Sequence, residues 1–232
     1  MNIAGLQKMT LLDFPGRVAC TVFLPGCNFR CPYCHNSQLL TGDSAGGMTT
    51  EALLAFLKGR QDLLDGVCIT GGEPTLFPEL PGLLAQIREL GFAVKLDTNG
   101  SRPKILKQVL PLVDYVAMDV KSSPEGYPAA VGLAVPDLGD IEESLRLLMS
   151  GETPYELRTT LVRELHDETV MTHMGQWLYQ LNGGDKIQKI FLQPFVNRDT
   201  VPDQNLHPPE TAQLTHFVEL LSTFAHHVSI RG

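Results

Sequence analysis

The chain has 232 residues, 43% of them hydrophobic, and a formal net charge of −8, enough to bury a core as one large domain or two small ones. No Lys/Arg run exceeds one residue, which argues against a phosphate-backbone partner, so nucleic acid is not expected. The apolar runs are strand-sized and the N-terminus MNIAGLQKMT lacks an apolar leader, so neither a membrane span nor a secretion signal is expected and the predicted location is cytoplasmic.

In chain order, short apolar or β-branched runs alternate with helical stripes. RVACTVFL (17–24) predicts the first strand, and Leu53, Phe56 and Leu57 a short helix. GVCIT (66–70) precedes a stripe of Leu80, Leu83, Leu84, Ile87 and Leu90, whose spacing is that of an amphipathic helix. FAVKLDT (92–98) is followed by Ile105, Leu106 and Val109, and YVAMDVK (115–121) by Ile141, Leu145 and Leu148. YELRTTLV (155–162) precedes Met171, Met174, Leu178 and Leu181. KIFLQPF (189–195) precedes Leu214, Phe217, Val218, Leu221 and Phe224, and a weaker run, HVSI (227–230), closes the chain. Strand then helix, repeated, predicts parallel strands with covering helices, either an open doubly wound sheet or a barrel. No composition break divides the chain, so residues 1–232 read as a single domain. The stretches 122–140 and 197–209, rich in Pro and Gly, read as long loops beside a site.

The polar motifs all fall after strands. The cysteine loop follows the first, GGEP (71–74) the second, DTNG (97–100) closes the third, DVK (119–121) the fourth and QPF (193–195) the sixth. Carboxyl ends of parallel strands form one ligand-binding face, so these distant motifs are expected to meet.

Three of the five cysteines lie in LPGCNFRCPYCHN, spaced Cys27-x3-Cys31-x2-Cys34. A chain of this size needs no disulfide staples, and clustered reduced thiols point to a metal. A structural zinc site wants four protein ligands. His35 abuts Cys34 too closely to turn onto the same ion, and Cys20 and Cys68 lie in strands as small core residues. A 4Fe-4S cluster held by three cysteines instead leaves one iron open to a substrate.

This motif, with Tyr33 before the last cysteine and Gly-Gly-Glu-Pro after the next strand, resembles the radical S-adenosylmethionine superfamily. CHN after the third cysteine, DFPG (13–16), DTNG and MDVK are similar to the glycyl-radical-enzyme activases. Among them the opening most resembles the activating proteins of anaerobic ribonucleoside-triphosphate reductase, of the longer type, with pyruvate formate-lyase activating enzyme related. The likeness runs from about residue 5 to 195 and is most specific in the first third.

The resemblance implies an α/β fold, a partial (β/α)6 barrel open laterally, and a radical S-adenosylmethionine oxidoreductase. Cys27, Cys31 and Cys34 would ligate three irons of one 4Fe-4S cluster, and S-adenosylmethionine would chelate the fourth. Its reductive cleavage gives a 5'-deoxyadenosyl radical that abstracts a glycine α-hydrogen from a partner glycyl radical enzyme, here anaerobic ribonucleotide reductase. A flavodoxin-like protein or a ferredoxin would supply the electron.

Gly71 and Gly72 would let backbone carbonyls approach the methionyl ammonium, because they lack Cβ atoms. Glu73 is similar to the family's glutamate, and Lys121 is the best cation for the methionyl carboxylate. Asp97, Thr98 and Asp119 resemble residues that bind a monovalent cation or the ligand beside the methionyl group. Tyr33, Asn99 and Gln193 are further cofactor-side candidates, and Arg158, inside a strand, needs either a ligand or an ion pair. Pyruvate formate-lyase activases carry a histidine where this chain has Val196, so Gln193 or Asn197 is expected to replace it. The other histidines, His166 among them, read as core or surface. Two other functions fit less of the pattern. A small-molecule radical enzyme, such as a heterocycle-forming synthase of the deazapurine pathway, would need no protein partner, and an electron carrier or zinc module would need neither GGEP nor DVK.

Overall fold

The computed structural model describes residues 1–41 and 47–231. They fall into two compact units, Met1–Asn28 with Gln38–Ala117, and Phe29–Ser37 with Met118–Gly232.

The first unit opens with strands β1 (Asn2–Ile3), β2 (Gly5–Thr10) and β3 (Ala19–Leu24). It continues through β4 (Met48–Thr49), α1 (Thr50–Lys58), β5 (Gly66–Gly71), α2 (Leu80–Glu89), β6 (Ala93–Thr98) and α3 (Pro103–Val109). β1 and β4 form a small antiparallel pair. β3 pairs parallel with β5, and β5 parallel with β6, as the alternation predicts. β3 and β5 are buried along nearly their whole length, which is why they read as continuous apolar runs rather than as alternating ones. The predicted stripe of α2 is its buried face: Leu80, Leu83, Leu84 and Ile87 are all buried.

Three strands of this unit, the two-residue β1 and β4 and the longer β2, are absent from the sequence reading. β2 runs antiparallel to β3, with a register irregularity between Gln7 and Thr10. Its residues GLQKMT are half-exposed or exposed apart from Thr10, so an edge strand of this kind carries little apolar pattern to detect.

The chain passes between the units inside β7 (Tyr115–Asp119), whose first three residues belong to the first and Met118 onward to the second. The second unit continues with α4 (Tyr127–Val131), α5 (Leu138–Ser150), β8 (Tyr155–Leu161), α6 (Glu168–Leu181), β9 (Ile187–Pro194), α7 (Thr211–Leu221) and β10 (Ala225–Ile230). β8 pairs parallel with β9, and β9 parallel with β10, so the weak HVSI run is a full strand. Asp137 and Asp167 cap α5 and α6 by accepting from the amides of Asp140 and Val170, satisfying donors that helix starts leave open. Among the described residues β2 pairs with β3 alone and β10 with β9 alone, so each is an edge strand of its own unit.

The stretch 122–140 is not one long loop. It contains α4, which begins with Pro128 in its first turn and ends on Gly132 at φ 66°, the usual pairing of a proline start with a left-handed glycine stop. A Cβ on Gly132 would stand 2.2 Å from the Arg30 carbonyl oxygen, and the Arg30 amide donates to the Val131 carbonyl at 2.8 Å. The end of α4 thus packs directly on the cysteine loop. The stretch 197–209 does lack helix and strand. It is tied to the same loop by the Asp203 amide donating to the Pro32 carbonyl, and by the Thr200 hydroxyl donating to the His35 carbonyl.

Candidate active site

In the first unit, Cys27 leaves the carboxyl end of β3 and is fixed there by the glycine pair. The Gly72 amide donates to the Leu24 carbonyl at 2.9 Å and the Glu73 amide to the Gly26 carbonyl at 2.8 Å. Gly71 has φ 123°, and a Cβ on it would lie 2.3 Å from the Leu24 oxygen. A Cβ on Gly72 would lie 1.8 Å from the Gly26 oxygen. The room that these glycines create is therefore filled by the cysteine loop itself, one residue before Cys27.

Glu73 faces inward. It is fully buried, and its Oε1 accepts from the Thr75 amide at 3.0 Å, from the Thr75 hydroxyl, and from the Thr98 hydroxyl at 2.8 Å. Its Oε2 accepts from the Asn99 amide at 2.6 Å. Burial pushes its carboxyl up, against the pull of these donors. Glu73 thus clamps GGEP to the start of DTNG, which places Asn99 beside the cysteine loop. The Asn99 Nδ2 donates to Asn28 Oδ1 at 3.0 Å and lies 3.9 Å from Cys27 Sγ.

Asp97 meets a partner that sequence reasoning missed. Lys95, buried in β6, donates to Asp97 Oδ1 and lies 3.8 Å from Cys68 Sγ. The available signal was a lysine in the middle of the otherwise apolar FAVKLDT. Cys20 is a core residue as expected, its thiol pushed up to about 12 by burial and so kept protonated.

In the second unit, the end of β7 and the middle of β8 build a charged triad. Asp119 accepts from Lys121 Nζ at 2.8 Å on one oxygen and from Arg158 Nε at 2.9 Å on the other. Burial would raise the Asp119 carboxyl, but Arg158 and Lys121 outweigh it and hold it at about 2. Burial likewise opposes the Lys121 charge, but Asp119, Tyr33 and Cys31 outweigh it, so its pKa rises well above the usual ammonium value. Lys121 and Arg158 thus share one carboxylate, and the Lys121 ammonium has donors enough for a charge-assisted bond to an anionic ligand group as well. Arg158 therefore has its ion pair, and the carboxylates assigned to a monovalent cation each carry a protein cation, Lys95 on Asp97, and Lys121 with Arg158 on Asp119.

Tyr33 stands in the same unit, 4% exposed, with a hydroxyl that has no hydrogen-bond partner among the described residues. Burial raises its pKa, and Cys31 raises it further, so it stays a neutral donor. A buried hydroxyl left open beside such charges fits a polar ligand. His35 stacks on Phe195 with ring centroids 5.6 Å apart, and its Nε2 lies 2.7 Å from the Val196 carbonyl oxygen. The Val196 side chain is exposed, while Gln193 is half-buried opposite Thr160 in the β8–β9 pairing. Asn197 turns back on its own loop, donating to the Gln204 carbonyl.

His166 is the second residue whose role the sequence did not disclose. It is 1% exposed; its Nδ1 accepts from the Val162 amide at 3.0 Å, which leaves Nε2 to donate to the Lys121 carbonyl at 2.9 Å. Burial lowers its pKa, so the folded protein holds it neutral. A group with a depressed folded pKa contributes its full stability above the unfolded value, about 6.5 for histidine, and loses it as pH falls. Thermal melts from pH 8 to 5 should therefore show the wild-type protein losing stability on acidification more steeply than His166→Gln. Parallel curves would refute this role.

The three thiolates are soft ligands one short of a zinc set, the donor chemistry that a cluster with an open iron requires; in the first unit the glycine pair seats Cys27, and in the second the open Tyr33 hydroxyl and the Lys121 ammonium fit a polar ligand. No group of three or more His, Cys, Asp or Glu side chains among the described residues is arranged to hold a single metal ion. The model of the Radical SAM superfamily matches residues 21–175. The chain belongs to the Radical SAM superfamily.

Within that class it is similar to MJ1227 of Methanocaldococcus jannaschii, provisionally named a glycyl-radical enzyme activating enzyme. The two are 34% identical over 175 residues, 72% of this chain and 70% of that protein. It is also 36% identical over 139 residues to the pyruvate formate-lyase-activating enzyme of Clostridium pasteurianum, covering 56% of this chain and 57% of that one. In fold it is similar to a radical SAM methyltransferase from Sphaerobacter thermophilus, with a TM-score of 0.73 at 15% identity over 96% of this chain and 68% of that one. The enzyme is thus a radical SAM oxidoreductase akin to the activating enzymes.

Proposed function

We propose that this enzyme installs the glycyl radical of a partner enzyme, and that the partner is anaerobic ribonucleoside-triphosphate reductase. The cysteine motif carries this reading, joined to a likeness to activating enzymes that extends over 72% of the chain. Cys27, Cys31 and Cys34 would hold one 4Fe-4S cluster. When bound, that cluster supplies the electron for reductive cleavage of S-adenosylmethionine, the chemistry that ends in removal of a glycine α-hydrogen.

The chain's own residues bind and orient. Lys121 offers its ammonium to the methionyl carboxylate, with Asp119 and Arg158 holding it in place and His166 pinning its backbone. Tyr33 offers its buried hydroxyl to the same ligand, and Gln193 lies on its adenosine side. Gly71, Gly72 and Glu73 act through the loop, keeping Cys27 in register. No helix among the described residues is long and apolar enough to cross a membrane, in keeping with a cytoplasmic enzyme that receives electrons from a flavodoxin-like protein or a ferredoxin. Residues 1–232 act as one catalytic domain.

The test is isotopic. Reconstituted enzyme is mixed with candidate partners whose glycines carry deuterium at the α-carbon, and 5'-deoxyadenosine is analysed by mass spectrometry. Deuterium transfer from anaerobic ribonucleotide reductase, with a glycyl doublet in electron paramagnetic resonance, is the expected result. Transfer from pyruvate formate-lyase alone would reassign the partner. Cleavage of S-adenosylmethionine with no transfer from any glycyl radical enzyme would move the small-molecule alternative ahead.

A further inference from the structure

We infer that Asn99 is a hydrogen-bond donor to the Cys27 thiolate that raises the reduction potential of the cluster Cys27 helps to hold. The inference rests on the proposed cluster but not on the identity of any partner.

Five contacts in the first unit carry it. The Asn99 amide could in principle turn either its oxygen or its nitrogen toward Cys27, and its neighbours decide. Ser101 donates its backbone N–H to Asn99 Oδ1 at 2.9 Å, so Oδ1 must be the acceptor end and the NH2 group is the end turned to Cys27 Sγ, 3.9 Å away. The other amide proton goes to Asn28 Oδ1 at 3.0 Å. Asn28 is oriented in turn, because its Nδ2 donates to Ser101 Oγ at 2.8 Å. Asn99, Asn28 and Ser101 therefore close a ring in which neither amide can flip without losing bonds. The backbone of Asn99 is held from below by the buried Glu73 carboxylate at 2.6 Å.

The consequence is electrostatic. Reduction adds negative charge to a cluster and its sulfurs, and a donor aimed at a thiolate stabilises the reduced form more than the oxidised form. Such a donor makes the cluster easier to reduce. GGEP thereby reaches the cluster twice, through its glycines at the loop and through Glu73 at the amide donor.

The experiment is a reductive titration, followed by electron paramagnetic resonance, of the reconstituted full-length protein without S-adenosylmethionine. Asn99→Ala should lower the ratio of reduced to oxidised cluster at fixed poise about tenfold, equivalent to about 59 mV for one electron. Asn99→Asp, which keeps the acceptor for Ser101 but replaces the donor with a negative oxygen, should lower it at least as far. Ser101→Ala removes only the hydroxyl that orients Asn28, and should give a smaller shift in the same direction. If Asn99→Ala takes up no iron, the other two variants carry the test. Unchanged potentials in the variants that load would overturn the inference while leaving the cluster assignment intact. A wild-type protein that binds no 4Fe-4S cluster would overturn both.

Discussion

Cys27→Ala, Cys31→Ala and Cys34→Ala should each abolish S-adenosylmethionine cleavage, with loss of the cluster's visible absorption after anaerobic reconstitution. A cluster already one ligand short has no spare thiolate, so losing one more leaves two irons open. Cys20→Ala and Cys68→Ala are the controls. Both residues are fully buried in strands, and Cys20 is a protonated thiol, so each should cost only about 1 to 2 kcal/mol of packing and leave iron content unchanged. Cys68 is the more demanding control because its sulfur lies 3.8 Å from Lys95 Nζ. Iron per chain, measured beside urea unfolding, separates the two classes. Loss of iron in Cys68→Ala with normal stability would sink the ligand assignment.

Gly72→Ala should be nearly as damaging without touching a ligand. Its Cβ would sit 1.8 Å from the Gly26 carbonyl oxygen, and that atom belongs to backbone, which cannot swing aside as a side chain can. Either the strand end or the loop must move by more than an ångström, breaking the amide bonds from Gly72 and Glu73. We expect a loss of about 3 kcal/mol or more, with iron uptake falling in the fraction that still folds. Gly82→Ala, on α2 with open space around it, should be neutral or slightly stabilising. Equal melting temperatures and iron content for Gly72→Ala and wild type would contradict the packing described here.

Much of the fold was legible because parallel strands buried on both faces must be apolar throughout, and helices covering them must be striped. Met171, Met174 and Leu178 read as core and are buried. What escaped was whatever lacks such a pattern. β2 is an edge strand with little buried surface, and α4 is five residues of proline-started helix inside a stretch rich in loop formers. The site divides in the same way. Thiol spacing is local, so the cysteine motif is visible in one dimension. Charge pairing is visible only in part: Lys95 with Asp97 and Lys121 with Asp119 stand two residues apart, but that Arg158 also serves Asp119, 39 positions away, depends on which strands lie side by side. His166 and Asn99 act through hydrogen bonds to residues 45 and 72 positions away, and no spacing rule encodes those distances.

The seating of Gly72 against Gly26 also bears on how such a centre can be moved between proteins. A cysteine loop is often treated as a portable cassette, to be transplanted for its three ligands. Here the cassette has a second half some 45 residues downstream, since the loop rests on a strand end that must have no side chain there. A graft carrying residues 24–36 onto another α/β scaffold would arrive without its seat unless the host supplied a glycine pair at the neighbouring strand. The unit of transfer is at least two adjacent strand ends with the loop between them, and the contacts that α4 and residues 197–209 make to that loop would have to be rebuilt in the host.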